Sequence, residues 1–159
     1  MSELILVLNC GSSSIKFALF DASARPLPRQ PLWNGKVDGI AGPAPTFGET
    51  GVTPGPVTLD AAHPYHAALQ HIRSRVLART AQGGHRIAAV AHRVVHGGAK
   101  YADPVRVNAS VLEDLRGYIP LAPLHQPFAL EAIGALLQHL PDLPQVACFD
   151  TAFHHTLPD

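Results

Sequence analysis

An excess of either charge is missing from this chain. Its 159 residues carry 12 Lys and Arg against 12 Asp and Glu, a formal net charge of zero. The basic residues are scattered, with no stripe to follow a phosphodiester backbone, which argues against a nucleic-acid partner. Long apolar runs are missing too: no segment approaches the about 20 residues of a membrane-spanning helix. Met1-Ser2-Glu3 with five apolar residues behind it is too short and too acidic for a secretory leader. Cysteine is scarce. Cys10 and Cys148, far apart and each in an apolar strand pattern, allow one bridge at most and no disulfide framework. They read as small buried hydrophobes in a reducing compartment, so the expected location is the cytoplasm. No internal repeat is present. The length suits about one domain, enough to bury a core of its own.

The most informative stretch is Val7-Leu8-Asn9-Cys10-Gly11-Ser12-Ser13-Ser14-Ile15-Lys16-Phe17. An apolar strand over residues 4–8 enters a turn of small polar residues, and an alternating strand (Ile15, Phe17, Leu19) leaves it. Such a turn directs backbone N–H groups, the hydroxyls of Ser12, Ser13 and Ser14, and Lys16 at one oxyanion, as proteins do to hold nucleotide phosphates. Taken alone it is equally an ordinary hairpin loop, since Gly and Ser are common in turns. It is not a Walker P-loop, which needs a second glycine directly before Lys-Ser/Thr and a helix after it.

Farther along, residues 33–37 read as a third strand before a long loop, and Pro-Gly-Pro at 54–56 with Val57-Thr58-Leu59 suggests an edge strand. A helix is predicted over 64–80, opening on a proline and ended by Gly83-Gly84. The apolar run 87–95, interrupted by His92-Arg93, has the mark of a buried central strand. Residues 110–117 read as a short helix with Ser110 as N-cap and Glu113 completing a capping box. Residues 125–140 read as an amphipathic helix with Leu130, Ile133, Leu137 and Leu140 on one face, and 146–149 as the last strand. Early hairpins followed by alternating helices and strands argue an α/β domain with a mixed sheet and helices on its faces.

Three further segments carry chemistry. Ala91-His92-Arg93-Val94-Val95-His96-Gly97-Gly98 lies at the carboxyl end of the buried strand, where open α/β sheets place ligands. Alternating with Val94, Arg93 leaves the sheet toward a cleft and can grip a carboxylate or phosphate in a bidentate way, or serve a structural ion pair. His92 and His96 have the spacing of helical zinc ligands, but the run is strand-like and Arg93 replaces the glutamate of His-Glu-x-x-His. In Leu121-Ala122-Pro123-Leu124-His125-Gln126-Pro127, His125 opens a helix, suited to an anion or to capping. In Cys148-Phe149-Asp150-Thr151-Ala152-Phe153-His154, Asp150 directly follows an apolar strand and suits Mg²⁺, or a helix N-cap. The ten histidines are otherwise dispersed, with no convergent spacing for metal storage.

In order and spacing these four segments resemble the acetate kinase family. Asn9-x-Gly11-Ser12-Ser13-Ser14-x-Lys16 is similar to its opening signature, and this phosphate hairpin is shared across the superfamily of acetate and sugar kinases, heat-shock ATPases and actin. The resemblance spans the chain and is weakest over 22–62. It departs at Gln126-Pro127-Phe128-Ala129, where the family has Asn-Pro-x-Asn; Gln126 keeps the amide but shifts it by a methylene beside His125.

The resemblance implies an RNase H-like (actin-like ATPase) α/β domain, mixed sheet with flanking helices, the first of the family's two domains. Residues 1–159 are then an amino-terminal domain without the second. The adenosine site, a catalytic histidine, a second arginine and a metal-binding glutamate belong to that second domain. The chain alone is therefore expected to be inactive and monomeric, whereas full-length family members are homodimers. The implied reaction is reversible transfer of the ATP γ-phosphoryl group to the acetate carboxylate, giving acetyl phosphate and ADP, with Mg²⁺ as cofactor. By the resemblance, Arg93 grips the carboxylate, and Val95 and Leu124 line a pocket for the methyl group. Ser12, Ser13, Ser14 and Lys16 cradle the phosphates, Asn9 and Asp150 orient Mg²⁺, and His125 donates to the transferring group. Propionate and butyrate kinases share these motifs, and a non-catalytic phosphate-binding module is the alternative from another class.

Overall fold

In the computed structural model, which describes residues 2–11, 13–23, 30–94, 104–117, 126–140 and 142–149, the opening run folds as β1 (Ser2–Cys10) and β2 (Ser14–Asp21). Leu4, Leu6, Leu8 and Cys10 on β1 and Ile15, Phe17 and Leu19 on β2 are buried at every second position, the period with which one strand face meets a core. The chain divides into two compact units, Met1–Leu8 with Ser12–Ala88, and Asn9–Gly11 with Ala89–Asp159.

In the first unit an antiparallel meander continues through β3 (Trp33–Asp38), β4 (Thr46–Glu49) and β5 (Val52–Pro56), in the order β5-β4-β3-β2-β1. Two details differ from the sequence reading. β4 occupies part of the expected long loop, and the edge strand, expected over 54–59, is Val52–Pro56. Pro54 and Pro56 cannot donate to a ladder, but an end strand leaves one side unpaired and tolerates them. The meander closes on aromatic rings. Phe17 meets Trp33 edge-on at 5.0 Å and stacks on Phe47 at 6.2 Å, and the Arg79 guanidinium lies 5.0 Å from the Trp33 ring. Gly35 is required beside Phe17, because a Cβ there would fall 2.6 Å from the ring and 2.7 Å from the Gly48 carbonyl oxygen.

Helix α1 (Pro64–Gln82) opens on a proline, whose fixed φ suits the first helical position. It buries Tyr65, Ala68, Ile72, Val76 and Thr80 along one stripe. Gly83 caps its end, and Gly84 follows at φ +68°, a left-handed conformation that glycine adopts without strain.

The second unit is built from most of β6 (His85–Val94), then β7 (Val105–Arg106), α2 (Ala109–Arg116), α3 (Gln126–His139) and β8 (Gln145–Phe149). β6 and β8 run parallel, in register from Val90↔Gln145 to Val94↔Phe149, and the short β7, too brief to show a period in sequence, pairs antiparallel with β8. Val94, Val107, Val111, Leu112, Leu115, Ala129, Leu130, Ile133 and Ala147 form its buried core, with Leu137 packed against it. The α2 cap is Asn108, not Ser110. Asn108 is extended at φ −133°, and its Oδ1 accepts from the Val111 N–H at 2.9 Å, the bond an N-cap makes to N3. Among the described residues no helix is long and apolar enough to cross a membrane.

Candidate functional site

Two of the expected site residues lie in the second unit. Asn9 is the half-buried penultimate residue of β1, and Arg93 is the penultimate residue of β6. Arg93 is exposed between His92 and Val94, which are 1% and 0% exposed. In the parallel ladder it stands beside Cys148, one residue before the end of β8. Strand alternation thus turns a charged side chain outward between two buried neighbours near the strand's carboxyl end.

Three others lie in the first unit. Ser13 is exposed, and its carbonyl accepts from the Ile40 N–H at 2.9 Å. Ser14 opens β2 opposite Asp38, and Lys16 is exposed opposite Lys36. Ser12, Val95, Leu124, His125 and Asp150 lie outside the described residues.

The ladder register adds two residues that the sequence reading missed. Lys36 faces Lys16 directly, a like-charge pairing that is unfavourable in itself. Asp38 relieves it, with its Oδ2 3.3 Å from the Lys36 Nζ and its Oδ1 accepting from the Gly39 N–H at 3.0 Å. The hydrogen bond from Lys36, then that from Gly39, holds the Asp38 carboxyl below the usual carboxylate range, and the Lys16 charge adds to this. Ser14, Lys16, Lys36 and Asp38 consequently share one exposed strand face with two ammonium groups and one carboxylate. Only the pairing register brings them together, so a linear motif could not find them.

His92 lies on a strand and belongs to the core. Its Nε2 is 2.6 Å from the Gln145 Oε1, and burial lowers its pKa to about 4, only partly opposed by that hydrogen bond. Among the described residues no group of three or more His, Cys, Asp or Glu side chains could hold a metal ion. Cys10 is buried and Cys148 half-buried, neither in a disulfide, and burial pushes the Cys148 thiol up from its ordinary value.

Residues 4–159 match the model of the acetokinase family. This chain belongs to that family. It is 44% identical to an acetate kinase of Rhodopseudomonas palustris over all of its own length and 40% of that protein's. Among solved structures, a propionate kinase from Francisella tularensis is similar with a TM-score of 0.77 and 37% identity, covering 98% of this chain and 39% of that one. An acetate kinase from Porphyromonas gingivalis gives 0.75 and 31%, again covering 98% of this chain and 39% of that one. The chain thus spans about 40% of the length of the curated relatives it matches. The fold class read from the sequence is confirmed: a mixed α/β sheet with flanking helices, as in the actin-like ATPase domain of these kinases.

Proposed function

We propose that this acetokinase-family chain supplies the amino-terminal domain of an acetate kinase, with residues 1–159 providing the acyl-acceptor and phosphate contacts. The enzyme transfers the ATP γ-phosphoryl group reversibly to acetate, giving acetyl phosphate and ADP. The observation that supports this most is Arg93, exposed between the buried His92 and Val94 near the carboxyl end of β6, which runs beside parallel β8. Ligands of open α/β sheets bind at such strand ends.

A carboxylate with a pKa of about 4–5 is already ionised at neutral pH, so the nucleophile needs no general base. What it needs is relief from repulsion as an anion approaches a polyanion. The planar fork of Arg93 holds the acceptor carboxylate through paired N–H donors. Ser12, Ser13, Ser14 and Lys16 hold the nucleotide phosphates, Val95 and Leu124 enclose the methyl group, and His125 donates to the phosphoryl group in transfer. Asn9 and Asp150 offer the hard oxygen donors that Mg²⁺ prefers, and Mg²⁺ when bound neutralises phosphate charge. Asp150 serves as a metal-positioning group here rather than a base, since the acceptor has no proton to lose.

The test is acetyl-hydroxamate formation from ATP, Mg²⁺ and acetate, with the chain alone and mixed with a separately expressed carboxy-terminal segment of a relative. Activity is expected only in the mixture. Activity from the 159 residues alone would overturn the two-domain mechanism. Phosphate-dependent protection without turnover in either case would favour a binding module. A propionate kinase is the second reading, favoured by the similarity to the Francisella tularensis protein; the ratio of kcat/KM for propionate to that for acetate decides between them.

A further inference from the structure

The second unit buries two polar side chains that the proposed chemistry does not use. His92 and Gln145 are each 1% exposed, and their side chains meet at 2.6 Å between Nε2 and Oε1. Gln145 Nε2 also donates to the Ile133 carbonyl oxygen at 3.4 Å, in the middle of α3. That carbonyl can only accept, which turns the amide nitrogen of Gln145 toward α3 and its oxygen toward His92. His92 must then donate, so its proton is on Nε2. The Nδ1 lone pair is buried without a partner among the described residues, which leaves the Gln145 bond as the one polar restraint seen on this ring.

The register gives this chain of bonds its reach. Gln145 opens β8 opposite Val90, yet its side chain reaches His92, two residues further along β6. The Gln145 backbone is held as well, its carbonyl accepting from the Val107 N–H at 2.8 Å, while the neighbouring Pro144 carbonyl accepts from Val90 at 2.9 Å. One side chain therefore links β6, β8 and α3. Arg93 is the next residue after His92 and projects from the other face of the strand.

We propose that His92 and Gln145 are positioning residues for Arg93: their bond, directly behind Arg93, sets the height and direction from which the guanidinium leaves β6. The proposal rests on the reading of Arg93 as the carboxylate grip. A purely apolar pair would also fill the core, but it would leave the backbone ladder alone to fix the tilt of β6 against β8, and a misplaced grip is costly in a reaction that depends on alignment.

The test uses the chain assembled with the carboxy-terminal segment, measuring acetate KM, ATP KM, kcat and thermal midpoint. Gln145→Met keeps length but removes the acceptor, and should raise acetate KM about tenfold while leaving ATP KM at the parent value. His92→Gln keeps an N–H donor toward Gln145 and should retain the parent acetate KM. If Gln145→Met does not fold, the double variant His92→Leu with Gln145→Met leaves no buried donor unpaired and recovers the fold. It should still show the raised acetate KM. A double variant with both thermal midpoint and acetate KM at parent values would overturn the positioning role, and so would an equal rise in both KM values in Gln145→Met. Arg93→Ala with a parent acetate KM would instead overturn the underlying reading of Arg93.

Discussion

The two units of this chain reach order by opposite routes. In the first, β2 to β5 pair with their neighbours in sequence, antiparallel throughout, and a cluster of Phe17, Trp33 and Phe47 fills the interior. Its charged groups near the β1–β2 connection, Lys16, Lys36 and Asp38, stay at the surface. In the second, β6 and β8 are far apart in sequence, pair in parallel, and enclose an aliphatic core with the buried His92–Gln145 bond beside it. A local meander needs only turns and alternation. A parallel pair needs its register specified from a distance, and a buried polar contact penalises every wrong register by leaving its groups unpaired.

If each unit serves one substrate, substitutions in them should separate kinetically. Arg93→Ala in the assembled enzyme should cut kcat/KM for acetate by about a hundredfold or more with little change in ATP KM. Lys16→Ala should raise ATP KM by about tenfold, the worth of one charge-assisted hydrogen bond, and leave acetate KM alone. Hydroxamate kinetics at varied acetate and ATP would reveal the split. Near-normal turnover in Arg93→Ala would remove that residue from the site.

Acid should strike the second unit harder. Burial lowers the His92 pKa to about 4 from an ordinary 6.5, so folding keeps it neutral while the unfolded chain takes up a proton. Stability from this group is complete above pH 6.5 and is lost as pH falls toward 4, at a cost of about 3 kcal/mol. His71 on α1 is shifted down in the same sense, first by burial and then by Arg75, but it is less enclosed. Asp38 is exposed, and being shifted down it loses its contribution only below its ordinary 3.8. The urea midpoint should fall from pH 7.5 to pH 4.5 in the parent and much less in His92→Gln. An equally steep fall in His92→Gln would place the sensitivity elsewhere.

Much of this was legible in the sequence, for identifiable reasons. β1 announces itself as an apolar run, β2 by the alternation of Ile15, Phe17 and Leu19, and α1 by its proline start and glycine stop. The Arg93 segment was legible because one charge interrupts an apolar strand. β4 and β7 were not: Thr46–Glu49 alternates little, and Val105–Arg106 is too short to have a period. The edge strand slipped because prolines suggest a turn, although an end strand accommodates them. Lys36, Asp38 and Gln145 were invisible for one shared cause. Each matters through a partner across a ladder or a core, and a linear reading holds no register.

Gly35→Ala would probe the local route. Its new methyl would sit 2.6 Å from the Phe17 ring and 2.7 Å from a backbone oxygen. The ring can turn a little, but the Gly48 carbonyl is fixed in the β3–β4 ladder. A loss of about 1–3 kcal/mol is expected by urea denaturation. An unchanged midpoint would mean that the meander is looser than its aromatic packing implies.

The smallest effect belongs to the start of α2, and it separates two accounts of how that helix begins. The motif Ser110-x-x-Glu113 suggests a capping box, but a cap must be extended, and Ser110 already lies within the helix. Asn108 has the extended backbone and makes the side-chain bond to Val111. Asn108→Ala should therefore cost about 1 kcal/mol, and Ser110→Ala should cost nothing or stabilise slightly, alanine being the better residue inside a helix. Val111, Leu112 and Leu115 would still hold α2 in its core, so the loss stays local and modest. Thermal midpoints of the two variants decide the matter, and the reverse ranking would restore Ser110 as the cap.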